Sequence, residues 1–360
     1  MKQVSSFFLV VMVHSFIAAQ KIENVIIITT DGFRWQEVFN GMDSSLANNN
    51  RFNEGDSSYI YKKYWDTDVT VRRKKLLPFF WSTIAIKAQV YGNRNYNNNM
   101  NNANPYWFSY PGYNELLSGY PDTAVNSNDY PPNPNVTLLE YLNNLSAWNN
   151  KIAVFGAWGA FNRIINEKRS NIPVYAAFDT LKGEQLSSTE RLLNLMLQNS
   201  YKPFNEGECL DVFTHYMAKN YLLTKNPKLL YVAYGETDEW AHEGKYKSYL
   251  EAAHQVDAWL ADWWNTIQQL PQYKNKTALL FTVDHGRGVG DNWTSHGAKI
   301  EHSNETWFAI MAPGVAGKGE IKTAGQHYQK QLAATIAKLL GIVFKPAHPV
   351  AEKIDEVFVK

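Results

Sequence analysis

Six acidic and imidazole side chains have the types and spacing of a site for divalent metal ions. They are Asp31, Asp238, His242, Asp284, His285 and His296. Imidazole nitrogen and carboxylate oxygen are ligands that zinc and similar ions take in proteins. Three Asp and three His can hold two ions, and such a pair can stabilise both the attacking and the leaving oxygen of a phosphoryl displacement. The set therefore predicts a two-metal hydrolase.

Each of these residues also has a simpler interpretation when it is taken alone. An Asp that follows a strand is commonly a helix N-cap or a turn residue. Caps and turns do not require imidazoles at positions 242, 285 and 296 together, so the agreement between separate segments favours metal binding. A non-catalytic metal-binding protein stays open as an alternative from another functional class.

Ser109 is the predicted nucleophile. It begins Ser109-Tyr110-Pro111-Gly112, and the Pro-Gly pair favours a turn that leads into a helix ending near Gly119. Backbone N–H groups at a helix N-terminus attract an anion. A serine hydroxyl is a weak nucleophile unless a base or a metal lowers its pKa. An ordinary serine N-cap is the competing interpretation.

The elements that must position these side chains are strands of a parallel sheet. Val25 to Thr29, Leu229 to Ala233 and Leu279 to Val283 are apolar runs of strand length, as expected for strands buried on both faces. An Asp follows each run within a few residues. Because ligands bind outside the carboxyl ends of such strands, all three carboxylates are expected at the edge of the sheet that these carboxyl ends form.

Alternating strands and helices predict parallel βαβ units elsewhere in the chain. Further strands are expected at Ala88 to Tyr91, Ile152 to Phe155 and Trp307 to Met311, and helices at Glu190 to Gln198, Tyr246 to Gln269 and His327 to Leu340. The Asn-rich stretch from Asn97 to Asn102 is expected to be a loop that, with Tyr106 to Phe108, lines the mouth of the site.

Five short motifs occur in the order and rough spacing of the alkaline phosphatase superfamily. They are Thr30-Asp31-Gly32, Ser109-x-Pro-Gly with Ser118-Gly119, Asp238-x-x-x-His242-x-Gly244, Asp284-His285-Gly286 and His296-Gly297. Between Val25 and about Pro313 the chain resembles the nucleotide pyrophosphatase/phosphodiesterase branch and related periplasmic phosphatases. The resemblance implies a three-layer α/β/α sandwich with a mostly parallel central sheet.

The resemblance also implies two zinc ions and a division of the ligands between them. Asp238, His242 and His296 would hold one ion. The second would be held by Asp31, Asp284, His285 and the Ser109 oxygen.

Some positions depart from the family pattern. Many phosphodiesterase-like members have His where this chain has Tyr113, and many have Thr at the position of Ser109. An Asn that steadies a phosphoryl oxygen is expected roughly twenty residues after the nucleophile, which selects Asn128, with Asn126 close behind. Asn114 and Arg163 are candidates for contacts with the substrate.

Composition limits localisation and partners. Thirty-five basic and 34 acidic residues give a net charge of +1, which argues against a nucleic-acid coat. The one dense basic run, Arg72 to Lys75, is expected to open a helix to Ile86 with a solvated face.

Residues 1–19 resemble a secretory signal, and no later stretch is apolar over the length needed to span a membrane, so a secreted or periplasmic protein is expected. Residues 20–360 are expected to form one domain with a loop-rich insertion around 41–108.

The leading prediction is an exported phosphatase or phosphodiesterase that acts on a small phosphate ester through a phosphoserine. A sulfatase is the nearest rival, but its signature has Arg where Tyr113 stands. A metal-dependent phosphoglycerate mutase shares the implied core, although it is cytosolic and carries an inserted domain. The sequence leaves the choice between monoester and diester, the metal and the oligomeric state open.

Overall fold

The computed structural model describes residues 22–359. The predicted secretory signal, residues 1–19, lies outside the described residues. Among those described, no helix combines the length and the apolar character of a membrane-spanning segment.

A main sheet of eight strands forms the centre of the fold. In chain order the strands are β1 (Asn24–Thr30), β2 (Gln89–Tyr91), β3 (Asn98–Asn101), β4 (Ile152–Gly156), β5 (Val174–Ala176), β6 (Leu229–Tyr234), β7 (Thr277–Thr282), β8 (Glu305–Thr306), β9 (Phe308–Met311), β10 (Gly319–Glu320) and β11 (Gly325–Tyr328). The main sheet has the order β10-β2-β9-β7-β1-β6-β4-β5, and within it β9 is antiparallel to both its neighbours while the other pairings are parallel. β11, β3 and β8 form a separate small sheet.

The helices vary from single turns to one of 24 residues. They are α1 (Trp35–Asn40), α2 (Ser44–Ala47), α3 (Ser57–Tyr64), α4 (Val69–Leu76), α5 (Ala85–Lys87), α6 (Ser109–Ser118), α7 (Leu138–Asn143), α8 (Phe161–Ile164), α9 (Glu167–Ser170), α10 (Ser188–Gln198), α11 (Asp211–Lys225), α12 (Glu236–His242), α13 (Tyr246–Gln269) and α14 (Leu332–Leu339). A π-helical turn, Phe80–Ile84, precedes α5. Short 3₁₀ turns lie at Arg94–Tyr96, Gly290–Thr294, Gln329–Gln331 and Asp355–Val357.

Side chains alternate between the two faces of the main sheet, as the strand period of two requires. In β1, Ile26 and Ile28 belong to one buried apolar cluster, whereas Val25 and Ile27 belong to another. Helices α11 and α13 pack in the first cluster, and α6, α7 and α14 pack in the second. The predicted three-layer α/β/α sandwich with a mostly parallel central sheet is confirmed.

Two regular elements differ from the sequence-based expectation. Asn98–Asn101, expected within a loop, forms β3, which pairs with β11 and β8. The helix expected from His327 begins only at Leu332, because His327 and Tyr328 pair with β3. In both cases the pairing partners lie more than 200 residues apart in sequence, so the local pattern does not contain them.

The segment 41–108 also differs from the expected loop-rich insertion. It contains α2 to α5 and strands β2 and β3. The basic run Arg72 to Lys75 ends α4 instead of opening a helix to Ile86. Arg72 donates to the Asn40 carbonyl and Arg73 to the Glu320 carboxylate, so these two side chains tie α4 to neighbouring segments and do not form a freely solvated face.

The adjacency of β7, β1 and β6 determines where the proposed ligands meet. β1 pairs in parallel with both β6 and β7, so the three carboxyl ends lie side by side. Asp31 directly follows β1, Asp284 follows β7 by two residues, and Asp238 lies in α12, which begins just after β6. The expected gathering of three carboxylates at one sheet edge is therefore observed.

Candidate metal centre

Two groups of three potential metal ligands lie side by side at this sheet edge. One group is Asp238, His242 and His296, and the other is Asp31, Asp284 and His285; within each group the ligand atoms all lie within 4.8 Å of one another. The rings of His285 and His296 stack with their centroids 4.0 Å apart. These are the two ligand sets that the motifs imply, and their binding of metal stays a prediction.

Each of the three carboxylates has one oxygen held by the protein and one oxygen directed at a histidine. Asp31 Oδ2 accepts from the Tyr113 hydroxyl at 2.9 Å, and Asp31 Oδ1 lies 3.2 Å from His285 Nε2. Asp284 Oδ1 accepts from the Gly32 N–H at 3.1 Å, and its Oδ2 lies 3.4 Å from the same nitrogen. The fixed oxygens set the orientation of the others, as supporting contacts of metal ligands commonly do.

His285 is oriented so that its Nε2 can bind a metal ion. Its Nδ1 lies 2.8 Å from the Gly286 carbonyl, to which it can only donate, so Nε2 is the nitrogen that becomes a ligand once its proton is lost. Asp31 Oδ1 and Asp284 Oδ2 are buried and have no hydrogen-bond partner within residues 22–359. A cation between these atoms would satisfy all three, so this group fits a metal ion.

The pKa values of this group show how strongly its negative charges interact. Burial, followed by the nearby Asp31 carboxylate, raises the pKa of Asp284 well above its ordinary range. Burial alone would lower the pKa of His285, but the carboxylates of Asp284 and Asp31 raise it to about 9. Without a metal ion, protons must therefore supply the positive charge that these buried groups need.

The second group contains a buried arginine that the sequence reasoning missed. The Arg287 guanidinium donates to Asp238 Oδ1, and it also donates to the carbonyls of Trp293 and Thr294. Burial would raise the pKa of Asp238, but the Arg287 guanidinium holds it well below the ordinary range. Arg287 follows Asp284-His285-Gly286 directly, yet only the fold reveals its partner, which lies 49 residues away.

The remaining Asp238 oxygen and two imidazole nitrogens converge. Asp238 Oδ2 lies 3.0 Å from His242 Nε2, which in turn lies 3.0 Å from His296 Nε2. Two imidazole nitrogens at this separation need a proton or a cation between them. Burial and then the positive charge of His285 lower the pKa of His296 well below its usual value, which leaves a neutral imidazole. Neutral imidazole is the form that binds metals, so this group also fits an ion.

Gly32 allows these groups to approach the end of β1. Its φ of +57° lies in the left-handed region. A methyl group there would overlap Asp238 Oδ1 and lie 2.9 Å from an Arg287 nitrogen. The Thr30-Asp31-Gly32 motif thus needs its glycine for space as well as for backbone conformation.

Ser109 lies beside the Asp31 group, at the first residue of α6. Its Oγ is 3.2 Å from His285 Nε2, and the side chain is almost fully buried. Asn128 accepts a hydrogen bond from the Tyr110 N–H at 3.0 Å through Oδ1, so the fold brings Asn128 next to Ser109. Its amide nitrogen has no partner among the described residues. The predicted role of Asn128 at a phosphoryl oxygen is compatible with this position, whereas Asn126 is exposed.

Two predicted substrate contacts have other partners in the structure. Asn114 is buried, its amide nitrogen donates to the Tyr120 carbonyl, and its Oδ1 accepts from Asn135, so the side chain stabilises the segment after α6. Arg163 donates to the carbonyls of Asn128 and Tyr130. The Arg163 guanidinium thus fixes the loop that carries Asn128, and direct contact of Arg163 with substrate stays a prediction.

Comparisons with known proteins identify the fold. No protein-family model matches the chain, and no curated protein matches it. The solved structure of alkaline phosphatase PafA matches with a TM-score of 0.60 and 11% identity over 95% of this chain and 100% of PafA. The lipoteichoic acid synthase LtaP from Listeria monocytogenes gives 0.56 and 12% over 94% and 76% of the two chains. The phosphonate monoester hydrolase of Agrobacterium radiobacter gives 0.52 and 12% over 89% and 74%.

These similarities establish the fold and do not by themselves establish an activity. The fold that the resemblance to the alkaline phosphatase superfamily implied is confirmed by these similarities.

Proposed function

We propose that this protein is a two-metal hydrolase of phosphoric esters that acts through a phosphoserine on Ser109. The observation that carries the proposal is the placement of Ser109 Oγ, 3.2 Å from His285 Nε2, at the edge of two adjoining ligand triads. A hydroxyl at the first residue of a ten-residue helix also faces backbone N–H groups that favour a phosphate.

The donor set suits two divalent ions, and we propose zinc because its protein ligands are imidazole and carboxylate. When bound, such ions supply Lewis-acid stabilisation of phosphoryl oxygens and lower the pKa of hydroxyl groups. Asp31, Asp284, His285 and Ser109 would hold one ion, and Asp238, His242 and His296 the other.

The residues of the chain position the reacting groups. Ser109 Oγ would lose its proton to solvent and attack phosphorus in line with the ester oxygen, so that the Oγ–P bond forms as the bond to the alcohol breaks and the leaving oxygen takes up a proton. Water would then attack phosphorus, release phosphate and return a proton to the serine oxygen. Asn128, held by the Tyr110 N–H and by Arg163, would donate to a phosphoryl oxygen through its free amide nitrogen.

The charges around the site give no reason to expect a preference for monoesters over diesters. A dianionic monoester usually requires additional cations, and Gly156 to Gly159 at the end of β4 contains none. The structure has a buried carboxyl at this place, since Glu208 pairs with Trp158 through the backbone and lies against Gly235. Burial and then the nearby Glu239 raise the pKa of Glu208 well above normal, so this carboxyl is neutral and supplies no cation for a monoester. Arg163, the nearest free cation expected from sequence, is bound to carbonyls.

A diester would need an apolar wall for its second ester group. Phe161, which follows Gly159 by two residues, cannot supply it, because its side chain is buried against Tyr113 and Tyr231 in the core. Trp158 and the segment Tyr106 to Phe108 are only partly buried and stay candidates for that wall. We therefore expect aryl phosphodiesters to be cleaved at least as well as the corresponding monoesters. A monoester preference of about a hundredfold in kcat/KM at pH 8, which corresponds to about 2.7 kcal/mol, would contradict this expectation.

The central test replaces Ser109 by Ala in the zinc-loaded protein. Loss of a covalent nucleophile should lower kcat by several powers of ten while fold and metal content stay near wild type. Ser188→Ala, at an exposed serine of α10, is the matched control. More than about a tenth of wild-type kcat in Ser109→Ala would overturn the assignment. Parallel assays with an aryl sulfate test the sulfatase alternative.

We also propose that the protein is exported, because residues 1–19 resemble a secretory signal. N-terminal sequencing of the protein from its own cells tests this, since export predicts a mature chain that starts near Gln20.

The alternative to an enzyme is a non-catalytic metal-binding protein, which would hold metal and hydrolyse no ester.

A further inference from the structure

A cavity of about 440 Å³ lies between the loop that precedes Ser109 and the loop that follows His296. It is lined by Trp107, Ala298, Lys299, Glu301, His302 and Asn304. Trp107 lies two residues before Ser109, and Ala298 lies two residues after His296. The loops that form the two walls touch, because a methyl group at Gly297 would be 3.8 Å from the Tyr106 carbonyl. The cavity is therefore formed by the loops that carry the nucleophile and a proposed metal ligand, and its volume is in the range of small-molecule sites.

Trp107 is held in this cavity by its backbone and not by packing in the core. Its φ of +56° is unusual for a bulky residue, and its N–H donates to Asn104 Oδ1. Asn104 is itself fixed by the buried Glu115 carboxylate of α6. The indole belongs to neither apolar core cluster, and its N–H has no hydrogen-bond acceptor within the described residues. The fold thus maintains an unfavourable backbone conformation that presents a partly exposed indole next to the nucleophile.

The opposite wall is polar and has a defined conformation. His302 also has a positive φ, +74°, and its Nδ1 lies 3.0 Å from the Glu305 carboxylate. Backbone hydrogen bonds from Ile300 to Gly297 and from Gly286 to Ser303 fix the loop to the Asp284-His285-Gly286 motif. Lys299 and Glu301 are exposed at the rim and bring opposite charges. This wall offers both donors and acceptors without a net charge.

We propose that this cavity is the subsite for the alcohol part of the substrate and that it takes a hydroxylated ring, as in a sugar phosphate ester. The inference rests on the proposed function. An indole face packs against the C–H face of a ring, while hydroxyl groups need donors and acceptors like those of the opposite wall. An alkyl chain would displace water from these polar groups without replacing its hydrogen bonds, and a polyanion would meet Glu301.

Binding of three probes to the zinc-loaded Ser109→Ala protein tests the assignment by titration calorimetry. The probes are glucose 6-phosphate, hexyl phosphate and inorganic phosphate. We expect glucose 6-phosphate to bind about tenfold or more tightly than the other two. Trp107→Ala should remove this advantage and leave the affinity for inorganic phosphate within about twofold. Tyr201→Ala, at an aromatic side chain 81% exposed and outside the cavity, is the control and should change nothing.

Lys299→Ala provides a second variant at an exposed position, in case Trp107→Ala fails to fold. We expect it to weaken glucose 6-phosphate by about threefold and to affect hexyl phosphate much less. Unchanged sugar phosphate binding in both variants, or tighter binding of hexyl phosphate in the parent protein, would overturn the subsite while ester hydrolysis by the wild type stands. Absence of any binding of inorganic phosphate, together with absence of ester hydrolysis, would contradict the proposed function, and the subsite with it.

Discussion

At the scale of single residues, each carboxylate of the metal centre has one oxygen fixed by a hydrogen bond to another residue and one oxygen left for an ion. Tyr113, Gly32 and Arg287 each hold one oxygen of a different carboxylate. Each free oxygen then faces an imidazole nitrogen, and this arrangement reduces the reorganisation needed when an ion binds. Replacing these supporting residues should therefore change metal affinity even though none of them is a proposed ligand.

Gly32→Ala tests the need for space at the end of β1. The variant introduces left-handed strain of about 1–2 kcal/mol and also a methyl group that overlaps Asp238 Oδ1. Gly55→Ala is a matched control, because Gly55 has a φ of +72° and no atom within 4 Å of the added methyl group. We expect both variants to lose stability and only Gly32→Ala to lose zinc affinity as well, as measured by competition with a chelator. Equal zinc affinity in the two variants would show that the overlap is relieved without moving Asp238.

Arg287→Met tests the charge that compensates Asp238. Removing one partner of a buried ion pair costs about 3–5 kcal/mol, so the metal-free variant should unfold at a clearly lower temperature than metal-free wild type. Zinc should restore much of the difference, because the bound ion supplies positive charge beside the carboxylate. Calorimetry with and without zinc measures both quantities. A loss of the same size in both states would mean that Arg287 acts only through the carbonyls of Trp293 and Thr294.

At the scale of elements, a chain of buried hydrogen bonds joins β6 to α11 and α13 behind the metal centre. The Trp263 indole N–H donates to the Tyr234 hydroxyl, which donates to His215 Nδ1, and His215 Nε2 donates to Asp262. Lys219 also donates to Asp262. A neutral His215 accepts one of these hydrogen bonds and donates the other, so every group in the series has its partner. Burial is the main cause that lowers the pKa of His215 to about 4.

This lowered pKa predicts a loss of stability in mild acid. An unfolded histidine has a pKa near 6.5, so as the pH falls from about 6.5 to about 4 the unfolded chain binds a proton that folded His215 does not. The free energy of unfolding should decrease by about 3 kcal/mol over this window from this one group. His215→Gln, which keeps a donor and an acceptor but cannot titrate, should show a smaller decrease in urea unfolding. A pH dependence in His215→Gln identical to that of wild type would contradict the prediction.

At the scale of the whole molecule, the metal centre lies at the carboxyl ends of the three central strands β7, β1 and β6. Segments that follow three adjacent strands place Asp31, Asp238 and Asp284 close together, where they repel one another unless a cation or protons intervene. Metal binding and overall stability should therefore be linked, since an ion that binds only the folded state stabilises it.

Removal of metal should lower the unfolding temperature of the intact protein. At a free zinc concentration of about 100 times Kd, each site contributes about 2.7 kcal/mol. Elemental analysis should find about two zinc ions per chain, and both Asp284→Ala and His242→Ala should reduce metal content together with activity. Full metal occupancy in either variant, or an unfolding temperature that chelation leaves unchanged, would mean that the site is wrongly placed.

The sequence alone determined the strands that carry the centre and the residues gathered at their ends. Runs such as Val25 to Thr29 are apolar and β-branched over a strand length, and the Asp and His motifs are local in sequence, so both can be recognised without the fold. Parallel pairing then requires that residues after neighbouring strands meet, which is why Asp31 and Asp284 were placed together correctly.

The tertiary structure decided the contacts between segments that are distant in the chain. β3 is a strand because β8 and β11 pair with it, although its Asn-rich sequence is typical of a loop. Arg287 lies against Asp238, and the Arg163 guanidinium is bound by loop carbonyls, because α12 and the loop after α6 pack where they do. Hydrogen bonding and Coulomb attraction act over a few ångströms in space irrespective of separation in sequence, so no local pattern could specify these partners.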